Sequence, residues 1–205
     1  MRRLLLAFLV VLSCGVAHGL PVVQDGDIIF QTSRSSQSVA VQRATGSPFS
    51  HMGLILFQHG KPYVFEAIAR VQYTPLDRWI ARGIGGHFVV KRLKNAARAL
   101  DAQAVQKLRA ATVQFQGRPY DLTFEWSDDR VYCSELVWKL YDRALGVRIG
   151  ELQHIKDFNL KDPSVRAKLR ERYGDHVPIE EPVISPDAMF RSPLLVTVAE
   201  NKKRS

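Results

Sequence analysis

The chain is expected to fold as an α+β domain, and three observations point there. Short apolar, β-rich runs occupy the first half, and helical periodicities dominate the second; that order favours an antiparallel sheet over an alternating parallel one. The length of 205 residues with 46% hydrophobic residues is enough for one well-buried core. No internal repeat and no linker rich enough to divide two domains interrupts it.

Met1, Arg2 and Arg3 make a basic start, the apolar run Leu4 to Val16 follows, and Ala17-His18-Gly19 offers the small residues of a cleavage site. Residues 1–19 read as a secretory signal peptide, since about 13 apolar residues fall short of the roughly 17–25 that span a bilayer. A second reading starts from Cys14 after Val11-Leu12-Ser13, which resembles the lipid-attachment box of bacterial lipoproteins, although Leu12 fits that box poorly. The mature chain is then residues 20–205, exported to the periplasm or beyond.

Asp27 to Phe30 follows Asp25-Gly26 as a short strand, and Ser35 to Thr45 reads as a short helix ended by Ser47-Pro48. His51 to Phe57 and Tyr63 to Ile68 flank Gln58-His59-Gly60-Lys61 and read as a hairpin. Thr74-Pro75-Leu76 opens a helix through Ile80, and His87 to Leu93 is the clearest further strand. Asp101 to Gln116 carries Ala104, Val105, Leu108, Ala111, Thr112 and Phe115 at helical spacing, closed by Gly117 and Pro119. Cys133 to Leu145 is a second long helix, with Leu136, Val137, Leu140, Tyr141 and Ala144 on one stripe and Gly146 after it. Glu151 to Pro182 is a polar excursion with one helix near Ser164 to Tyr173, and Leu194 to Val198 is a last strand.

Composition excludes several classes. Charged residues are 24%, with 13 Gly and 10 Pro, so collagenous and low-complexity chains are ruled out. Two cysteines cannot build a disulfide scaffold. Cleavage removes Arg2 and Arg3 and no acid, leaving 27 basic against 20 acidic groups, a formal +7. Outside the cytoplasm nucleic acid is not an expected partner; anionic wall polymer or phospholipid headgroups suit that charge, and so does plain solubility. The remaining His and Cys show no zinc spacing, and Gly83-Ile84-Gly85-Gly86 lacks the Lys and helix of a phosphate loop, so no metal or cofactor is expected.

Cleavage leaves one cysteine, Cys133, where a loop containing Asp128-Asp129 gives way to a helix. At a helix N-terminus the dipole and unpaired N–H groups favour a thiolate and can hold an oxyanion. The alternative is a small buried residue at the top of the apolar stripe. A thiolate nucleophile needs a base, itself oriented by a third group. His59 falls at the hairpin tip, and His154 and His176 in the polar excursion, where solvated roles are expected; His51 and His87 begin apolar strands. If the turn centres between His59 and Gly60, opposed residues sum to 119, so Glu66 faces Gly53 and lies diagonal to His51 on one face. Glu66 also interrupts Tyr63-Val64-Phe65 and Ala67-Ile68, and a carboxylate on an apolar strand needs a partner. A slip of one residue would put the two on opposite faces, with Glu66 solvated.

Gly26-Asp27-Ile28-Ile29-Phe30, Ser50-His51-Met52-Gly53, Glu66-Ala67 and Tyr132-Cys133-Ser134-Glu135-Leu136-Val137 together resemble the circularly permuted papain-like amidases of the NlpC superfamily, in particular the exported bacterial YiiX-like group. The permutation is visible in the order, because His51 precedes Cys133 by 82 residues (133 − 51). The resemblance implies an antiparallel sheet or small barrel packed against the cysteine helix, and a cysteine hydrolase acting on amides. It implies Cys133 as nucleophile, His51 as general base and Glu66 as the group orienting His51, with Tyr132 shaping the site or its oxyanion pocket. Cell-wall peptides and acyl lipids of the lecithin retinol acyltransferase type are the two substrate classes it suggests; a non-catalytic binding module with a packed Cys133 is the third reading. The excursion at 151–182 has no counterpart in the small core domains of that superfamily and is expected to cover the groove.

Overall fold

The structure, a computed structural model, describes residues 21–201. Both readings of residues 1–19, signal peptide and lipoprotein, lie outside the described residues. In chain order the elements are β1 (Ile28–Gln31), α1 (Ser38–Thr45), β2 (His51–Gln58), β3 (Lys61–Ala67), β4 (Val71–Pro75), α2 (Leu76–Arg82), β5 (Val89–Leu93), α3 (Ala96–Ala99), α4 (Ala102–Phe115), α5 (Cys133–Leu145), β6 (Gln153–His154), α6 (Pro163–Tyr173), β7 (Pro182–Val183), α7 (Pro186–Phe190) and β8 (Leu195–Glu200).

Six strands make one antiparallel sheet in the order β4-β3-β2-β1-β5-β8. His59 and Gly60 both take positive φ, 48° and 75°, as a two-residue type I′ turn requires. That turn pairs Leu54 with Phe65 and Ile55 with Val64, which is the expected register.

Helices cover both faces of the sheet, which is why β2 reads as a continuous apolar run. Ile28, Phe30, Met52, Leu54, Leu56 and Phe65 pack on the side of α5 and α4 against Leu136, Leu140, Leu108 and Phe115. Ile29, Ile55, Val64 and Val90 face the other way, against Leu76 and Trp79 of α2, as the two-residue period of a strand dictates. Leu136, Val137, Leu140 and Tyr141 are fully buried, a contribution of roughly 1.5–3 kcal/mol for each large apolar side chain. Helix α5 stops where Gly146 turns left-handed, φ 65°.

Most boundaries shift by a residue or two, and three of the differences fall on residues singled out above. Helix α1 starts at Ser38 rather than Ser35, because Ser33 and Ser35 bond each other through their hydroxyls and local hydroxyl bonds compete with helix. Strand β5 starts at Val89, leaving His87 outside it. Thr74 and Pro75 end strand β4 rather than open the helix. The polar excursion is ordered around α6, capped by Asp162 with Pro163 in its first turn. The strand pair β6–β7 flanks that helix.

Candidate active site

Cys133 is the first residue of α5, entered from Tyr132 in extended conformation. The first N–H groups of a helix lack intrahelical partners, and the thiol sits among them, 4% exposed, at the edge of the main core cluster. Both sequence readings of its position therefore apply at once: it is packed, and it opens a helix.

His51 begins β2, opposite Gln31 of β1, and Glu66 is the penultimate residue of β3. The register places both on the α2 side of the hairpin, and His51 Nε2 lies 2.6 Å from Glu66 Oε2. With Nε2 so engaged, Nδ1 is the ring nitrogen left to face Cys133. Burial pushes the His51 pKa down, but the hydrogen bonds and charges of Cys133 and Glu66 outweigh it and bring it up to about 9. Burial pushes Glu66 up, but His51 and then Arg82 hold it down to about 2. The structure thus brings Cys133, His51 and Glu66 together, whereas His87 is directed to Glu200 at 3.3 Å and stacks on Phe49.

Glu66 has 0% exposure, and its two oxygens are fully used. Thr74 Oγ1 donates to Oε1 at 2.6 Å, while Trp79 Nε1 and Arg82 donate to Oε2 at 2.9 and 2.5 Å. The Trp79 ring also stacks on His51, centroids 5.9 Å apart. These three donors were not singled out from sequence; the one signal for them was that a charge inside an apolar strand had to have partners.

Gly53 lets β3 close on β2 at this point. A Cβ there would meet Val64 Cγ1 at 2.4 Å and the Phe65 carbonyl at 2.9 Å. Gly53→Ala is expected to destabilise the protein by about 1–3 kcal/mol, lowering Tm by roughly 2–4 °C for each kcal/mol. Thermal unfolding by circular dichroism measures it, and a Tm within 1 °C of wild type would refute the tight approach.

Tyr132, expected beside the site, has its hydroxyl tied to the Ile184 N–H at 3.0 Å, and its ring meets Phe124 edge-on at 5.0 Å. Ser134 Oγ donates to the Ile184 carbonyl at 2.7 Å, so both neighbours of the cysteine grip one residue. Tyr120 is the residue that sequence reasoning missed. An isolated bridge to Val131 brings it near Cys133, and its hydroxyl accepts from Gln37 Nε2 at 2.6 Å. Burial, and then the charge of Cys133, push its phenol far up, so it stays protonated and able to donate.

Beside the thiol lies an apolar cavity of about 120 Å³, with Ala40 and Val41 on one wall and Phe158, Leu160, Val165 and Leu169 of the excursion on the other. Residues of the excursion thus wall one side of this cavity. His51 does not line that cavity; it opens onto a second cleft, which shares Gln37, Ser50 and Tyr120 with the first.

A family model described as permuted papain-like amidase enzyme, YaeF/YiiX, C92 family, matches residues 22–199. The uncharacterized protein YiiX of Escherichia coli (strain K12) is 53% identical over 177 residues, 86% of this chain and 86% of YiiX. The crystal structure of the metalloprotein YiiX from Escherichia coli O157:H7 is similar at a TM-score of 0.83 and 53% identity, covering 87% of this chain and 97% of that one.

Proposed function

The chain belongs to the C92 family of permuted papain-like amidases, YaeF/YiiX, and on that premise we propose that it is an exported hydrolase that cleaves amides through a Cys133 acyl-enzyme. The observation that carries this reading is the 2.6 Å His51–Glu66 contact beside the Cys133 thiol.

His51 as imidazolium holds Cys133 as thiolate, and the thiolate attacks the substrate carbonyl. The Cys133 backbone N–H and the Tyr120 hydroxyl receive the oxyanion. The imidazolium gives its proton to the leaving nitrogen, and the imidazole then takes one from water as that water attacks the thioester. Glu66 keeps the ring oriented and its charged form favoured. Tyr132 is a wall of the cavity, holding Ile184 in place.

The Escherichia coli O157:H7 protein is described as a metalloprotein. A resident metal does not fit the residues here: Cys133 and His51 offer two donors, Glu66 already accepts from His51, Thr74, Trp79 and Arg82, and among the described residues no group of three or more His, Cys, Asp or Glu side chains is arranged to hold a metal ion.

Cell-wall peptides or related amides are the substrate class that family membership favours. The apolar cavity favours a second reading, in which the acyl half is a lipid chain. Intact-mass measurement after mixing with p-nitrophenyl acetate and p-nitrophenyl hexanoate tests both. The expected result is one acyl group on Cys133, absent in Cys133→Ala, with acylation slowed about 10²–10³-fold in Tyr120→Phe. A faster reaction with hexanoate supports the lipid reading, and equal rates support the peptide reading. A Cys133 that never acylates overturns both and leaves a binding module.

A further inference from the structure

His51, but not Cys133, lines a cleft of about 660 Å³. Its walls carry Arg34, Arg82, Lys168 and Arg172, against one carboxylate at the rim, Glu171, which pairs with Lys168 at 2.6 Å. Arg82 is committed to the buried Glu66. Arg172 donates to the neutral Gln37 amide, and Arg34 is exposed at the mouth of the cleft. The cleft is therefore cationic beyond what its own acid compensates; Lys168 and Arg172 stand on the wall that it shares with the largely apolar cavity on the thiol side, and Arg34 belongs to the cleft alone.

The two halves of a substrate are distinguished by which catalytic group they face. The acyl half stays bonded to sulfur, so it occupies the cavity that Cys133 lines. The leaving half receives its proton from His51, so it occupies the cleft that His51 lines. Resting on the acyl-enzyme reading above, we infer that the cationic cleft is a subsite for an anionic leaving group, a carboxylate or a phosphate, received by Arg34, Arg172 and Lys168. Guanidinium groups suit both anions, because their planar donors match two oxygens at once.

The test is acylation of Cys133 by a matched pair of aryl acetates, 4-acetoxybenzoate with an anionic leaving group and 4-acetoxybenzamide with a neutral one, each rate divided by its rate with free cysteine. The ratio of the two cancels any change in the thiol itself. At low ionic strength wild type is expected to favour 4-acetoxybenzoate about tenfold or more. The double variant Arg34→Gln, Lys168→Gln should lower that preference about fivefold, and 0.5 M salt should erode it by screening. Protection by inorganic phosphate assigns a phosphate leaving group, whereas protection by alanylalanine assigns a carboxylate. Rapid acylation by 4-acetoxybenzamide that depends on His51, with no preference for 4-acetoxybenzoate and no protection by either anion, overturns the anionic subsite and leaves the acyl-enzyme standing. Slow acylation by both esters, unchanged in His51→Ala, overturns the acyl-enzyme reading and this inference with it.

Discussion

Replacing His51 by alanine is expected to slow acylation of Cys133 by p-nitrophenyl hexanoate about 10²–10⁴-fold at pH 7. The gap should close as the pH rises to 9 and above. In the wild-type protein the imidazolium persists to about pH 9, so the charge that holds the thiolate is present throughout the neutral range. In the variant that charge is missing, and hydroxide from solution takes over the work of the base. The variant should still fold, because Thr74, Trp79 and Arg82 keep the Glu66 carboxylate hydrogen-bonded. A rate within threefold of wild type at pH 7, or a gap that is the same at pH 7 and pH 9.5, would remove His51 from the role of base.

The second large effect falls on stability. Glu66→Ala leaves His51, Thr74, Trp79 and Arg82 facing a void where one carboxylate served them all, and is expected to cost about 3–5 kcal/mol. Glu66→Gln keeps the volume and removes the charge, so it separates packing from electrostatics. Glu66, held near 2 rather than 4.5, contributes stability above pH 4.5 that disappears as pH falls toward 2. His51, raised from 6.5 to about 9, contributes below pH 6.5 and loses that contribution as pH rises toward 9. The Glu66 shift draws first on His51 and then on Arg82, whereas the His51 shift draws on Cys133 and then on Glu66; the linkage, of the order of 3 kcal/mol, is shared among these groups and is strongest between about pH 4.5 and 6.5. Urea unfolding at pH 3, 5.5 and 9 should show wild type peaking at the middle value, and Glu66→Gln should lose the fall from pH 5.5 to 3 that Glu66 causes while keeping the part of the fall toward pH 9 that Cys133 causes through His51. Parallel profiles for the two proteins would refute the pair as a source of pH-dependent stability.

How much of this was legible depended on the range of the interactions. The hairpin register followed from His59-Gly60 alone, because a two-residue turn fixes which residues oppose each other, and with it the meeting of His51 and Glu66. The bounds of α5 followed from its apolar stripe and Gly146. The donors to Glu66 did not, because Trp79 and Arg82 arrive only when α2 folds across the sheet. Tyr120 was invisible for the same reason, as its approach to Cys133 depends on a single bridge to Val131. The excursion read as polar because Ile155, Phe158, Leu160, Val165 and Leu169 are dispersed among charges with no strong period, although each lines the cavity beside the thiol.

The grip of Tyr132 and Ser134 on Ile184 bears on when the enzyme becomes competent. The start of the cysteine helix is held by a residue about fifty positions later in the chain, so a ribosome-bound chain that has completed α5 has Cys133 but not the anchor that seats it. Contacts of such separation form late, because the intervening loop must close first. Seating of the site is thereby deferred until the chain has been made past Ile184, and a product ending before Ile184 would carry Cys133, His51 and Glu66 without a fully seated site.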